Sequence, residues 1–115
     1  MRNFRDLEIW NEAVLYVNDI YEVIEKFPSK EKYVLVSQMS RCAISIPSNI
    51  AEGCRGSNKE LKQYLNIALG SSFELETQME ICKNLNYIDS GQHKDLLSKL
   101  HTLQKRINAF RNSIK

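Results

Sequence analysis

The chain has 115 residues, 43% apolar and 26% charged, with a formal net charge of +2. That length holds one hydrophobic core and leaves no room for a second domain of ordinary size. Four glycines and two prolines are too few for an all-β chain and suit a few long helices. No apolar run approaches the roughly 18 residues of a membrane span, and MRNFRDLEIW opens on charges with no apolar core, so no secretory leader is expected. Cys42, Cys54 and Cys82 are odd in number and widely spaced. They read as reduced, buried apolar residues of a cytoplasmic protein.

Phe4 and Leu7 come first, with Asp6 as the expected cap of the first helix. Trp10, Ala13, Val17, Ile20, Ile24 and Phe27 then form one stripe at helical spacing, with Tyr16 and Tyr21 flanking it. Pro28 ends that helix. Ser29 is the expected cap of the second, whose stripes are Leu35, Met39, Cys42 and Ile46, and beside them Val36, Ala43 and Ile50. Pro47 falls inside it, and an interior proline removes a backbone hydrogen bond and clashes with the carbonyl four residues back. A kink is expected there, with Ser45, Ser48 and Asn49 satisfying the loosened backbone. Gly53 suits a left-handed cap.

Ser57 and Glu60 have capping-box spacing and start the third helix. Its stripe, Leu61, Leu65, Ala68, Ser72, Leu75, Met79 and Cys82, keeps a 4,3 alternation. Tyr64, Ile67 and Phe73 lie off it and are the expected oligomer contact. Asp89 to Gln92 caps the last helix, whose seam is Leu96, Leu100, Leu103, Ile107, Phe110 and Ile114. Helices over about 7–27, 30–54, 58–88 and 90–114 make one all-α domain, 1–115. They predict an antiparallel up-down-up-down four-helix bundle with left-handed packing. The apolar surplus on the middle helices predicts a homo-oligomer.

The segments FRDLEIW, SRCAISIPSNIAEG (40–53), KELKQYLNIALGSSFELETQ (59–78) and NLNYI (84–88) resemble the family of four-helix-bundle proteins encoded in intervening sequences of 23S rRNA genes. The resemblance covers nearly the whole chain. It is most specific at Ser-Ile-Pro-Ser-Asn-Ile-Ala-Glu-Gly. It implies a four-helix bundle without catalytic residues. It extends to the accessory variability determinant of diversity-generating retroelements, a barrel-shaped pentamer that engages a reverse transcriptase and nucleic acid, which implies a pentamer here. After Gly53 this chain reads Cys-Arg-Gly, where many members carry an aromatic and a further basic residue.

Charge comes in blocks. Residues 1–25 carry two basic and six acidic groups, 26–62 seven and three, 63–89 one and four, and 90–115 six and one. Two readings stand. The blocks attract one another between neighbouring helices, or the basic ones build a surface for phosphate. In the second case the nucleic-acid-binding residues are Arg55, Lys59, Lys62, Lys99, Lys105, Arg106 and Arg111. No aromatic residue interleaves with them in the sequence, so base stacking is not expected.

Pro47, Asn49, Glu52 and Gly53 read as a structural joint, with Arg41 or a neighbouring subunit as partner for Glu52. Glu74, Glu76 and Glu80 raise the thought of a di-metal bundle site, but neither His93 nor His101 has a glutamate three residues before it. The two histidines are expected to be exposed. No nucleophile elbow, P-loop or dinucleotide fingerprint is present. The expectation is a non-enzymatic oligomeric protein with no cofactor, metal, membrane or small-molecule substrate. It would bind RNA, DNA or a nucleic-acid enzyme through a basic surface, or else serve as a protein–protein adaptor.

Overall fold

Two side-chain caps set the second half of the chain. Ser57 accepts from Glu60 N at 3.2 Å while the Glu60 carboxylate accepts from Ser57 N at 3.1 Å. Asp89 and Gln92 exchange the same pair at 2.7 and 3.0 Å. Each box satisfies two otherwise unpaired helix-end donors. The helices they open are α3, Asn58–Asn84, and α4, Ser90–Ser113. Before them come α1, Glu8–Ile24, and α2, Leu35–Gly53, with single 3-10 turns at Phe4–Asp6 and Ser29–Glu31. The structure is a computed structural model and describes residues 2–115.

Several helix ends differ from expectation. Asp6 does not cap α1; it lies in the 3-10 turn, and Asn11 instead donates its side-chain amide to the carbonyls of Arg5 and Leu7, each at 3.0 Å. Ser29 opens only the short turn, because Val34 leaves helical geometry (φ −116°, ψ −94°) and delays α2 to Leu35. The third helix stops at Asn84 rather than 88. Asn86 takes the left-handed conformation (φ 62°), and Tyr87 N and Asn86 N donate back to the carbonyls of Cys82 and Lys83. That pairing is the Schellman ending, with asparagine in the place more often held by glycine.

The helices pack in chain order, and α1 closes on α4. Side-chain pairs give their directions. Ser45 lies 2.7 Å from Ser71 and Cys42 3.5 Å from Gln78, while His101 pairs with Glu76 and His93 with Glu80. As residue number rises on one helix it falls on the next, so the neighbours run antiparallel. The expected seams of α3 and α4 are buried, with only Phe110 half-exposed. In α1 the buried stripe is Ile9, Ala13, Tyr16, Ile20 and Ile24, rotated from the one the spacing suggested, and Trp10 and Val17 sit at its edge. Tyr16 accounts for the rotation. Its hydroxyl donates to the Leu96 carbonyl at 2.8 Å, so a residue with a polar tip can be buried.

His93 is likewise buried, contrary to expectation. It precedes Leu96 by three and so continues the α4 seam by one more step. All three cysteines are buried and free.

The joint between α2 and α3 departs from the sequence reading at Gly53 and Glu52, while Asn49 bonds the backbone beside Pro47 as expected. The second helix runs through Pro47 without interruption, and Asn49 donates to the carbonyl and hydroxyl oxygens of Ser45 at 2.8 and 2.9 Å. Gly53 is not left-handed. It is buried where α3 crosses, and a methyl group there would stand 2.8 Å from Tyr64 Cβ and 3.0 Å from Leu61 Cδ1. Glu52 is half-exposed and pairs with Arg55 at 3.2 Å rather than with Arg41.

A polar clamp joins α3 to α4. Gln104 donates to Ser72 Oγ at 3.2 Å and to Glu76 Oε1 at 3.1 Å. Burial alone would raise the Glu76 pKa, but hydrogen bonds from Gln104 and His101 outweigh it and hold the carboxyl below its ordinary 4.5.

Two outcomes follow from this packing. Gly53→Ala should lower unfolding stability by about 1–3 kcal/mol in a denaturant titration, because backbone-proximal atoms must give way; an unchanged midpoint would refute the close approach. Glu76→Gln keeps the side-chain shape and removes its charge. A carboxyl whose pKa is lowered by folding stabilises the fold above its ordinary value, and that contribution is lost as pH falls. The variant should therefore melt below wild type at neutral pH, and the difference should close progressively below pH 4.5. A melting difference of equal size at both ends of that range would contradict it.

Candidate nucleic-acid interface

Four stretches of chain meet at one end of the bundle. Arg2 N donates to the Cys54 carbonyl at 3.0 Å, tying the N-terminal segment to the end of α2. The Arg2 guanidinium lies 5.6 Å from the Phe110 ring centre, bringing in the last turns of α4. Arg111 donates to Asn66 Oδ1 at 2.6 Å, which joins α4 to the start of α3. Residues 2–6, 52–62 and 109–115 together hold seven basic and three acidic side chains, a net of +4. The opposite end, residues 25–34 and 80–97, holds five of each.

The seven cations singled out from the sequence do not act as one set. Lys99 reaches Asp19 at 3.5 Å and Asp95 at 3.4 Å, and the charge of Asp19, then the Asp95 hydrogen bond, raises its pKa. Arg106 pairs with Glu12 across the α1–α4 contact. Both are committed to the acidic face of α1. Arg55, Lys59, Lys62 and Arg111 gather at the basic end. Arg55 shares its charge with Glu52 in an exposed pair worth little. Arg111 donates only to amide oxygens, those of Asn66, Asn108 and Asn112, so its charge is not cancelled. Among the described residues, Lys59, Lys62 and Lys105 have no carboxylate within 4.0 Å.

Arg2 and Arg5 join the basic end and were missed in the sequence reading. The first 25 residues are acidic as a block, and the backbone bond from Arg2 to Cys54 together with the Arg2–Phe110 contact brings their two arginines to this end. Arg5 stacks at 5.4 and 5.5 Å on Phe4 and Trp10, which orients it without neutralising it.

The three expected oligomer contacts are dispersed. Tyr64 is half-buried against Gly53, Ile67 is half-exposed, and Phe73 is 57% exposed in the groove between α3 and α4. Ile67 and Phe73 are six residues apart, about 120° around the helix, so they do not share a face. The exposed apolar side chains that do share the Ile67 face are Ile81 and Leu85. Among the described residues no group of three or more metal-ligating side chains converges, and no helix is long and apolar enough to cross a membrane. His93 and His101 each meet one carboxylate, at 3.1 and 3.2 Å. Eight residues of helix, about 12 Å, separate them.

Comparison with known proteins adds a family. The model of 23S rRNA-intervening sequence protein matches residues 5–109. A crystal structure of a protein of unknown function from Bacteroides thetaiotaomicron, assigned to the S23 ribosomal protein family, superimposes with a TM-score of 0.84. It is 21% identical, with 91% of this chain and 99% of that chain covered, a likeness of fold. No curated protein is significantly similar to the chain in sequence.

Proposed function

The chain belongs to the 23S rRNA-intervening sequence protein family, and we propose that it is a non-enzymatic helical-bundle protein that binds the phosphate backbone of RNA or DNA through its basic end. The observation that carries this reading is the meeting of Arg2, Arg5, Arg55, Lys59, Lys62, Arg111 and Lys115 on three stretches of chain holding only three acids. A cluster of that kind neutralises phosphates and releases their counterions, and the affinity it supplies is independent of base sequence. Residues outside the ion pairs of the α1–α4 contact carry the binding, and Lys99 and Arg106 are already paired with Asp19 and Glu12.

Titration of a fluorescent RNA across a salt series tests this. Affinity should fall steeply with salt, with a slope of about −0.7 per phosphate contacted on a single strand. Lys62→Glu combined with Arg111→Glu should abolish binding at low salt. No binding at low salt, or an affinity indifferent to salt, overturns the proposal.

A second reading is an assembly or adaptor surface, favoured by Ile67 and Ile81 on one face of α3 and Leu85 just past its end, each 43–50% exposed. The pentamer implied by the family resemblance would bury such a stripe and repeat the basic end around its axis. Light scattering at micromolar concentration should give a multiple of the 13.4 kDa chain mass, reduced to one chain by Ile81→Asp. A monomer mass for wild type removes this reading.

A further inference from the structure

We propose that the groove between α3 and α4 receives an unpaired base of a single-stranded nucleic acid, stacked on Phe73, with the adjoining phosphates on Lys105 and Arg111. The inference rests on the basic-end reading and adds to it the strandedness of the ligand and the side chain that selects it.

The groove is lined by Leu69, Phe73, Gln104, Lys105, Asn108 and Arg111 and encloses about 360 Å³. Its composition is that of a single-strand site. An aromatic ring lies open to solvent, two cations stand beside it, and none of the lining residues is acidic. Arg111 is held in place by the Asn66 and Asn108 oxygens, which orient a guanidinium without discharging it. Asn108 commits its amide oxygen to Arg111, and among the described residues its two N–H donors make no hydrogen bond, leaving them for a base edge.

The charge pattern also gives the strand a direction. Beyond Phe73, toward the other end of the bundle, the groove continues past Glu76 and Glu80, which repel phosphate. On the near side lie Lys105 and then Arg111, six residues or about 9 Å further along α4. Arg111 touches Asn66, one turn from Lys62. The backbone therefore runs from Phe73 toward the basic end and not toward His93.

A duplex offers no free base face along its length, because its internal bases are already stacked on one another. A second copy docking with its two-fold axis through the groove would bring Lys105 and Arg111 close to their own images, so charge favours a polyanion over that self-contact.

The test is fluorescence anisotropy with a labelled oligo-uridine strand and a blunt RNA duplex of the same length. Phe73→Ala should weaken oligo-uridine binding roughly 5- to 150-fold, the equivalent of about 1–3 kcal/mol per stacked base, and leave duplex binding unchanged. Phe73→Trp should keep single-strand affinity. Equal binding of both probes by wild type and Phe73→Ala, with Lys62→Glu combined with Arg111→Glu still abolishing both, overturns the stacking groove while the basic-end reading stands. Failure of wild type to bind either probe removes both. A change of assembly mass in Phe73→Ala by light scattering would make the ring a contact between copies and also overturn the proposal.

Discussion

The structure turns on the absence of one side chain. At Gly53 the last turn of α2 lies so close to the first turns of α3 that a methyl group would stand 2.8 Å from Tyr64 Cβ. Because the helices touch there, the connection between them is short and tight. Arg55 emerges only a few residues before Lys59 and Lys62, and the Ser57–Glu60 box starts α3 immediately. The Cys54 carbonyl, held at the same corner, accepts the Arg2 amide and draws the N-terminal arginines in. The basic end is a consequence of this packing geometry as much as of composition.

Charge is partitioned by the same antiparallel arrangement. The acidic face of α1 runs beside α4, and it draws Lys99 and Arg106 into pairs with Asp19 and Glu12. Exposed pairs of this kind add little stability. Their effect is to cancel cations in the middle of the bundle, so that uncancelled charge remains at one end. The attraction between charge blocks expected of neighbouring helices is thus found at Lys99 and Arg106, while Arg111 of the same helix meets only amide oxygens.

Inside the bundle, several polar groups are accommodated by pairing, though Gln78 Oε1 is buried without a partner among the described residues. Tyr16 donates to Leu96, Ser72 and Glu76 accept from Gln104, and Ser45 joins Asn49 to Ser71. Each pairing fixes the register of one helix against the next, because moving by a residue would leave a buried polar group without a partner. Burial raises the Tyr16 and Cys82 pKa values, as expected of groups kept neutral by their surroundings.

Much of the architecture was legible in the residues alone. The 4,3 alternation of Leu61 to Cys82 and of Leu96 to Ile114 determined two seams, and the Ser57–Glu60 and Asp89–Gln92 boxes determined where their helices begin. These are local signals, carried by helical period and by hydrogen bonds spanning three residues. Where local signals compete, the sequence was silent or misleading. The stripe of α1 rotated because the Tyr16 hydroxyl finds a carbonyl on another helix. His93 was buried by continuation of a seam that its polarity concealed. Gly53 signalled a turn but serves a close approach, which depends on an atom of a helix not yet placed.

The candidate interface was legible only in part. Arg55, Lys59, Lys62 and Arg111 were identifiable by charge, whereas the diversion of Lys99 and Arg106, the recruitment of Arg2 and Arg5, and the meeting of Phe73 with Lys105 and Arg111 required the folded chain. Residue period and capping chemistry determine helices. Which charges cancel, and which ring lies beside which cation, is settled only when residues tens of positions apart come within a few ångströms, and no periodicity along the chain encodes that distance.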